Sequence, residues 1–244
     1  MDLFAFPPIA ALLDFAYSGL MHLAALLEPL AGASSAAAAV VLVTLLVRAL
    51  LIPTGIAQAK AEQARSRLAP KLRELQKRHR GNPERLQRET MQLYRDERTS
   101  PFAGCLPVLA QAPVVGILYA VFLHSAIAGH PNALLDETLL GVPLGTSMIG
   151  SMAAGALDPA TALVIGGLVV VIAAVGEVTR RVLRMPQPPE SPIPVGWLGV
   201  LQFTTAAIAL FVPLAAGLYL LVTVVWTLVQ RVVLRRAYPP ALPA

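Results

Sequence analysis

Charge is scarce in this chain of 244 residues, where Asp, Glu, Lys and Arg make up 14%, against about 25% in an ordinary globular domain. There is one cysteine, Cys105. That excludes an intramolecular disulfide framework and any Cys-x-x-Cys metal or redox pair. The sequence contains no Gly-x-Ser-x-Gly, no His-Glu-x-x-His and no Gly-x-x-x-x-Gly-Lys-Ser/Thr, so the best-known hydrolase, zinc-protease and nucleotide-binding signatures are missing. The four histidines, His22, His79, His124 and His130, have no partner at ligand spacing and read as ordinary surface histidines. No repeat relates the two halves of the chain, which weakens a transporter built from inverted repeats.

What the chain has instead is apolar residues, at 56%. A spanning helix needs about 20 of them to cross roughly 30 Å of hydrocarbon. Residues 35–56, 102–123 and 159–178 are three such runs. A fourth, 195–229, has 35 residues without a charge, about 52 Å as one helix. Pro213 divides it into two shorter spans, 195–212 and 214–230, around which some bilayer thinning is expected.

The basic residues test that division. Twelve lie in 57–98, three follow the third span (Arg180, Arg181, Arg184), three close the last (Arg231, Arg235, Arg236), and Arg48 lies within the first. Residues 1–34 and 124–158 carry acids only. Because Lys and Arg in short flanking segments stay cytoplasmic, the 195–229 run must cross twice. This predicts five spans, with the N-terminus outside and the C-terminus in the cytoplasm. Residues 1–34 lack the positive start of a signal peptide. They are expected as an amphipathic segment on the outer interface. Residues 124–158 form an outer loop and 231–244 a cytoplasmic tail.

Between the first two spans, Leu68, Leu72 and Leu75 recur at helical spacing, and Leu86, Thr90 and Leu93 continue a thinner stripe after His79-Arg80-Gly81-Asn82-Pro83. The pattern predicts an antiparallel helical hairpin over 57–98. Gly81 suits a left-handed close, Asn82 an N-cap and Pro83 the first helical turn. The apolar stripe is narrow, so the hairpin is expected to pack weakly or lie on lipid headgroups. Lys71, Arg73, Lys77, Arg78 and Arg80 are its basic candidates. Contact with ribosomal RNA through phosphates is open to it, but no aromatic interleaving supports sequence-specific nucleic-acid reading.

Arg48 is the expensive residue, since an arginine at mid-membrane costs about 2.5 to 3.5 kcal/mol on insertion scales. Helical side chains lean toward the helix N-terminus, which here points outside, so snorkelling to the cytoplasm is awkward. No carboxylate is expected at its depth. Arg48 therefore lies in a hydrated cavity or binds something polar or negative. Thr44 shares its face, and Gln111, Gln202, Thr204, Thr205, Thr223 and Gln230 are further polar positions in spans.

These residues resemble the YidC membrane protein insertase family. Val43-Thr44-Leu45-Leu46-Val47-Arg48-Ala49-Leu50-Leu51-Ile52-Pro53 is similar to its first core span with a single arginine. Leu68 to Tyr94, with Pro70-Lys71-Leu72 and Asn82-Pro83-Glu84, resembles its cytoplasmic hairpin. Ser100-Pro101-Phe102-Ala103-Gly104-Cys105-Leu106-Pro107, followed by Gln111-Ala112-Pro113, resembles the start of the next span and is the most specific match. Pro213 through Gly217-Leu218-Tyr219 to Gln230 resembles the last. The resemblance implies an all-α polytopic protein of the bacterial cell membrane, in a short form without a large outer domain. Five transmembrane helices would surround a hydrophilic groove open to the cytoplasm and closed to the outside. Arg48 would receive the hydrophilic tails of nascent membrane proteins there, with Thr44, Gln111, Gln202, Tyr219 and Gln230 as further groove residues. Their apolar segments would then slide into the lipid. The family reading implies no cofactor, metal, ATP or covalent step, and nascent membrane proteins, lipids, the ribosome and the Sec translocon as partners. The eight residues after Arg236 carry no charge, so a basic ribosome-binding extension is not expected. The rival reading is a channel or anion transporter built on the same arginine; a structural assembly chaperone is a third.

Overall fold

A computed structural model describes residues 6–97, 99–100, 106–183 and 203–239. Among these, the helices are α1 (Pro7–Ala31), α2 (Ser35–Leu50), α3 (Ile52–Arg78), α4 (Pro83–Asp96), α5 (Leu106–Leu123), α6 (Met148–Ala153), α7 (Pro159–Val182), α8 (Thr204–Ile208) and α9 (Leu214–Ala237). Two small antiparallel ribbons pair β1 (Ala126–Ile127) with β2 (His130–Pro131) and β3 (Thr138–Leu139) with β4 (Val142–Pro143). Three stretches, Pro7–Leu50, Pro159–Val182 and Leu214–Ala237, are long and apolar enough to cross a membrane, and Gln111–Leu123 is a shorter apolar helix. Of the expected fourth span only 203–212 is described. Gln202, Arg184 and the Pro101–Cys105 motif lie outside the described residues.

The chain divides into two compact units, Met1–Ala49 with Pro113–Leu228, and Leu50–Ala112 with Val229–Ala244. In the first unit, α1 opens on Pro7 and Pro8, whose fixed φ suits a first helical turn. It ends at Gly32 with φ 52°, a conformation that costs little only in glycine. α2 buries Ser35, Ala36, Ala37, Ala39, Val40 and Thr44, mostly small side chains that let neighbouring backbones come close. α7 starts on an Asp158 cap, whose Oδ1 accepts from the Thr161 N–H at 2.6 Å. It buries Thr161, Ile165, Leu168, Ile172 and Gly176 on one stripe and leaves Leu163, Val170, Val171 and Val178 exposed. In a membrane those exposed side chains meet lipid.

Residues 124–158, expected as an outer loop, form an ordered cap. Ile127, Leu134, Val142 and Leu144 are buried. Each ribbon turns on a residue pair with positive φ, Ala128-Gly129 and Leu140-Gly141, as two-residue hairpins of the right twist require. The loop also reaches the last helix, where the Leu214 N–H donates to the Thr146 carbonyl and the Ala215 N–H to the Leu144 carbonyl, both at 2.9 Å. These are N–H groups at a helix start that the helix itself cannot satisfy.

In the second unit, α3 and α4 make the expected antiparallel hairpin. Asn82 caps α4, its Oδ1 accepting from the Arg85 N–H at 2.9 Å, with Pro83 in the first turn. Two expectations are corrected. Gly81 is not in the left-handed region: α3 already ends at Arg78, and the Asn82 N–H donates to the His79 carbonyl to close the turn. His79 is buried rather than at the surface, its Nε2 2.8 Å from Glu89 Oε2. The apolar stripe is as thin as expected, with Leu68 buried and nothing buried on α4, so ion pairs supply much of the contact.

Candidate functional site

The helix carrying Arg48 does not run unbroken to Ile56. It stops at Leu50, and α3 begins at Ile52 with Pro53 in its first turn. A proline has no N–H for the carbonyl four residues back and clashes with it, so the ladder fails at Ala49. The Leu51 carbonyl instead accepts from Thr54 N–H at 3.1 Å, Thr54 Oγ1 at 2.6 Å and Gly55 N–H at 3.3 Å. Arg48 thereby falls in the last turn of α2, where the helix dipole favours a cation. Its side chain is half-buried. No ion pair or hydrogen bond to its guanidinium is found among the described residues. Leu45, Leu46 and Leu50 around it on α2 are exposed.

The other expected groove residues differ in kind. Thr44 is 1% exposed and donates its hydroxyl to the Val40 carbonyl at 2.7 Å, so it is packed inside the first unit. Tyr219 is 4% exposed, its ring 5.9 Å from that of Phe122 and 6.3 Å from that of Tyr119. Both sit in the core of their unit. Thr223, one turn further along α9, has a buried hydroxyl without a hydrogen-bond partner among the described residues. Gln111 and Gln230 belong to the second unit and are half-buried. Gln230 lies directly against Gly55 of α3, where a Cβ would meet its amide.

On the hairpin, Lys71 and Arg67 pair with Glu97, the latter at 3.4 Å, and Arg78 pairs with Glu74 at 3.0 Å. The Lys71 ammonium holds the Glu97 carboxyl below the usual carboxylate range. Arg85, with help from His79, does the same to Glu89. A shallow cleft of about 350 Å³ between α3 and α4 is lined by Lys71, Glu74, Arg78, Glu89, Gln92 and Asp96, among others. Lys77 and Arg80 are exposed and Arg73 is half-buried. Among the described residues no cluster of His, Cys, Asp or Glu could hold a metal ion.

The chain matches the family described as 60Kd inner membrane protein over residues 27–241. It belongs to that family, the YidC family. Among its relatives are three membrane protein insertases YidC. The one from Clostridium perfringens is 43% identical over 81 residues, 33% of this chain and 34% of the relative. That from Oceanobacillus iheyensis is 38% identical over 97 residues, 38% of each. That from Streptomyces avermitilis is 36% identical over 101 residues, 41% of this chain and 23% of the relative. The chain thus aligns with little more than a third, at most, of the length of these relatives. As a YidC-family chain with several long apolar helices it is an all-α, multi-pass protein of the bacterial inner membrane.

Two polar positions of this YidC-family chain escape sequence reading. Asn132, 3% exposed, donates through Nδ2 to the Val121 carbonyl at 2.7 Å and the His124 carbonyl at 2.8 Å, while its Oδ1 accepts from the Leu134 N–H at 3.2 Å. It closes the end of α5 and opens the cap at once. His130 joins the cap to α1, with Nε2 2.9 Å from Asp14 Oδ1 and its ring 5.3 Å from that of Tyr17. The glycine-bearing turns at Ala128-Gly129 and Leu140-Gly141 were the available signal.

The hydrogen bond that His130 donates to the Asp14 carboxylate is the main reason the His130 pKa is raised above its ordinary 6.5. The favourable pair is therefore complete below the ordinary value and is lost as pH rises through the raised one. In a histidine-labelled NMR titration of the protein in nanodiscs, His130 should titrate above 6.5, and Asp14→Asn should bring it back down. A His130 midpoint that Asp14→Asn leaves in place would remove Asp14 as the cause.

Proposed function

We propose that the chain is a membrane protein insertase, which takes the polar tail of a nascent membrane protein into the membrane from the cytoplasm and releases its apolar segment to lipid. The observation that carries this is Arg48, half-buried at the end of an apolar helix with no partner among the described residues. Family membership and the name its relatives share support the same reading. A polar tail loses hydration when it enters a bilayer, and a guanidinium, with its rigid fork of donors, can return part of that loss to a carboxylate or a carbonyl. The step needs contact and release alone, with no covalent chemistry and no bound nucleotide. The N-terminus would face outside and the C-terminus and hairpin the cytoplasm, in keeping with the Lys and Arg distribution. The basic hairpin would meet anionic lipid, the ribosome or the Sec translocon.

The test is insertion of a small client with a short polar outer tail into proteoliposomes, read as protection of the tail from added protease. Liposomes carrying the chain should protect the tail well above empty liposomes. Equal protection in the two would overturn the insertase reading, and anion flux would then be measured.

A further inference from the structure

Four contacts in the second unit join the first turns of α3 to residues 230–239. At Gly55 the missing side chain admits Gln230, whose amide occupies the space a Cβ would take. Lys60 Nζ lies 5.6 Å from the centre of the Tyr238 ring, within the range of a cation–π contact. Glu62 Oε1 accepts from Arg235 Nη2 at 2.9 Å. Gln63 Nε2 donates to the Pro239 carbonyl at 3.1 Å. Positions between 55 and 63 are thus matched by positions between 230 and 239. The first turns of α3, which carry the whole hairpin, lie against the end of α9 and the residues that follow it.

The ion pair differs from those on the hairpin. Its side chains are 21% and 32% exposed, whereas the basic partners in the Arg67, Lys71, Arg78 and Arg85 pairs are largely open to water. Arg235 uses one Nη, and its buried Nε finds no hydrogen-bond partner among the described residues. The fork is therefore anchored at one point instead of two. A screened surface pair contributes little, but this one is partly withdrawn from solvent and flanked by a ring contact and a main-chain hydrogen bond. Opening it leaves two partly buried charges without their counter-ions.

We propose that residues 230–239 form a strap on the root of α3, with Glu62 and Arg235 as its clasp, so that opening the clasp loosens the base of the basic hairpin. Glu62 and Arg235 are positioning residues in this scheme, acting on the hairpin through the helix they hold. The proposal goes beyond the insertase reading and does not depend on it, because its readout is amide exchange and not insertion.

The experiment is hydrogen exchange on the full chain in nanodiscs, comparing wild type with Glu62→Gln, Arg235→Gln and the charge swap Glu62→Arg/Arg235→Glu. Each single change should speed exchange of the amides of residues 57–66 about fivefold, the size expected from losing a partly screened pair. The swap should return them to within about twofold of wild type, since it restores the attraction in reverse. Tyr238→Ala, which leaves the ion pair in place, should speed the same amides, and those of α4 should keep their rates in all variants. Wild-type exchange of the root in the single variants or in Tyr238→Ala, or a swap as fast as either single change, would overturn the strap.

Discussion

Replacing Arg48 with alanine should reduce client insertion by roughly 10- to 150-fold, the equivalent of the 1.5 to 3 kcal/mol that a hydrogen bond to a charged group contributes. The position explains why the loss should be functional and not structural. Among the described residues Arg48 has no carboxylate partner, so alanine leaves no buried charge behind. What the fold loses is the attraction of a cation to the end of α2, about 0.3 to 1 kcal/mol. Protein yield and thermal stability should therefore stay close to wild type while the protected fraction of client falls. Arg48→Lys keeps the charge on a long stem and should retain much of the activity, short of whatever the planar fork adds. Arg48→Gln, which keeps donors but no charge, should lie near alanine. Should Arg48→Ala insert as well as wild type in proteoliposomes, the guanidinium has no part in receiving the tail.

Asn132 should give the largest effect on stability. Its side chain meets two carbonyls and one N–H in a site closed to solvent, and a buried polar group left unpaired costs about 1 to 3 kcal/mol. Asn132→Ala should thus cost roughly 3 to 5 kcal/mol, or a fall in melting temperature of about 6 to 20 °C for a chain of this size. Asn132→Asp is the sharper comparison. It has nearly the same volume but cannot donate while ionised, and it sets a carboxylate against two carbonyl oxygens. If packing governed the site, aspartate would resemble asparagine. Hydrogen bonding requires it to unfold at least as early as alanine, in a thermal scan of the detergent-solubilised protein. An aspartate variant melting within a degree or two of wild type would remove this account of the cap.

The contrast between Asn132 and Arg48 also marks what a sequence discloses. Arg48 was legible because a charge in an apolar run breaks a strong rule. The hairpin was legible for a related reason: helical spacing of leucines, then Asn82 and Pro83, each favoured at a helix start by local physics. Other features depend on partners distant in the chain. Nothing near His130 announces Asp14, more than a hundred residues earlier, and His79 is buried only because Glu89 comes back across the turn. Pro53 is the local signal for the break at Leu51, set within a run whose apolar pattern continues to Ile56. Gly81 has the residue type that so often takes the left-handed role, but the helix has already ended at Arg78. For the groove, sequence could find polar residues in apolar helices, but not that the Thr44 hydroxyl donates its hydrogen bond to the Val40 carbonyl and that Tyr219 is shut between aromatic rings.

The two hydrogen bonds that join the cap to the start of α9 bear on how the protein itself is made. Synthesis runs from the N-terminus, so the carbonyls of Leu144 and Thr146 leave the ribosome well before the N–H groups of Leu214 and Ala215 that will bind them. Until the last helix arrives, the cap is an unfinished surface with its polar groups turned to water. Its completion is therefore a late event in biogenesis, and a chain cut short before Leu214 would keep every residue of the cap and still lack the contacts that close it.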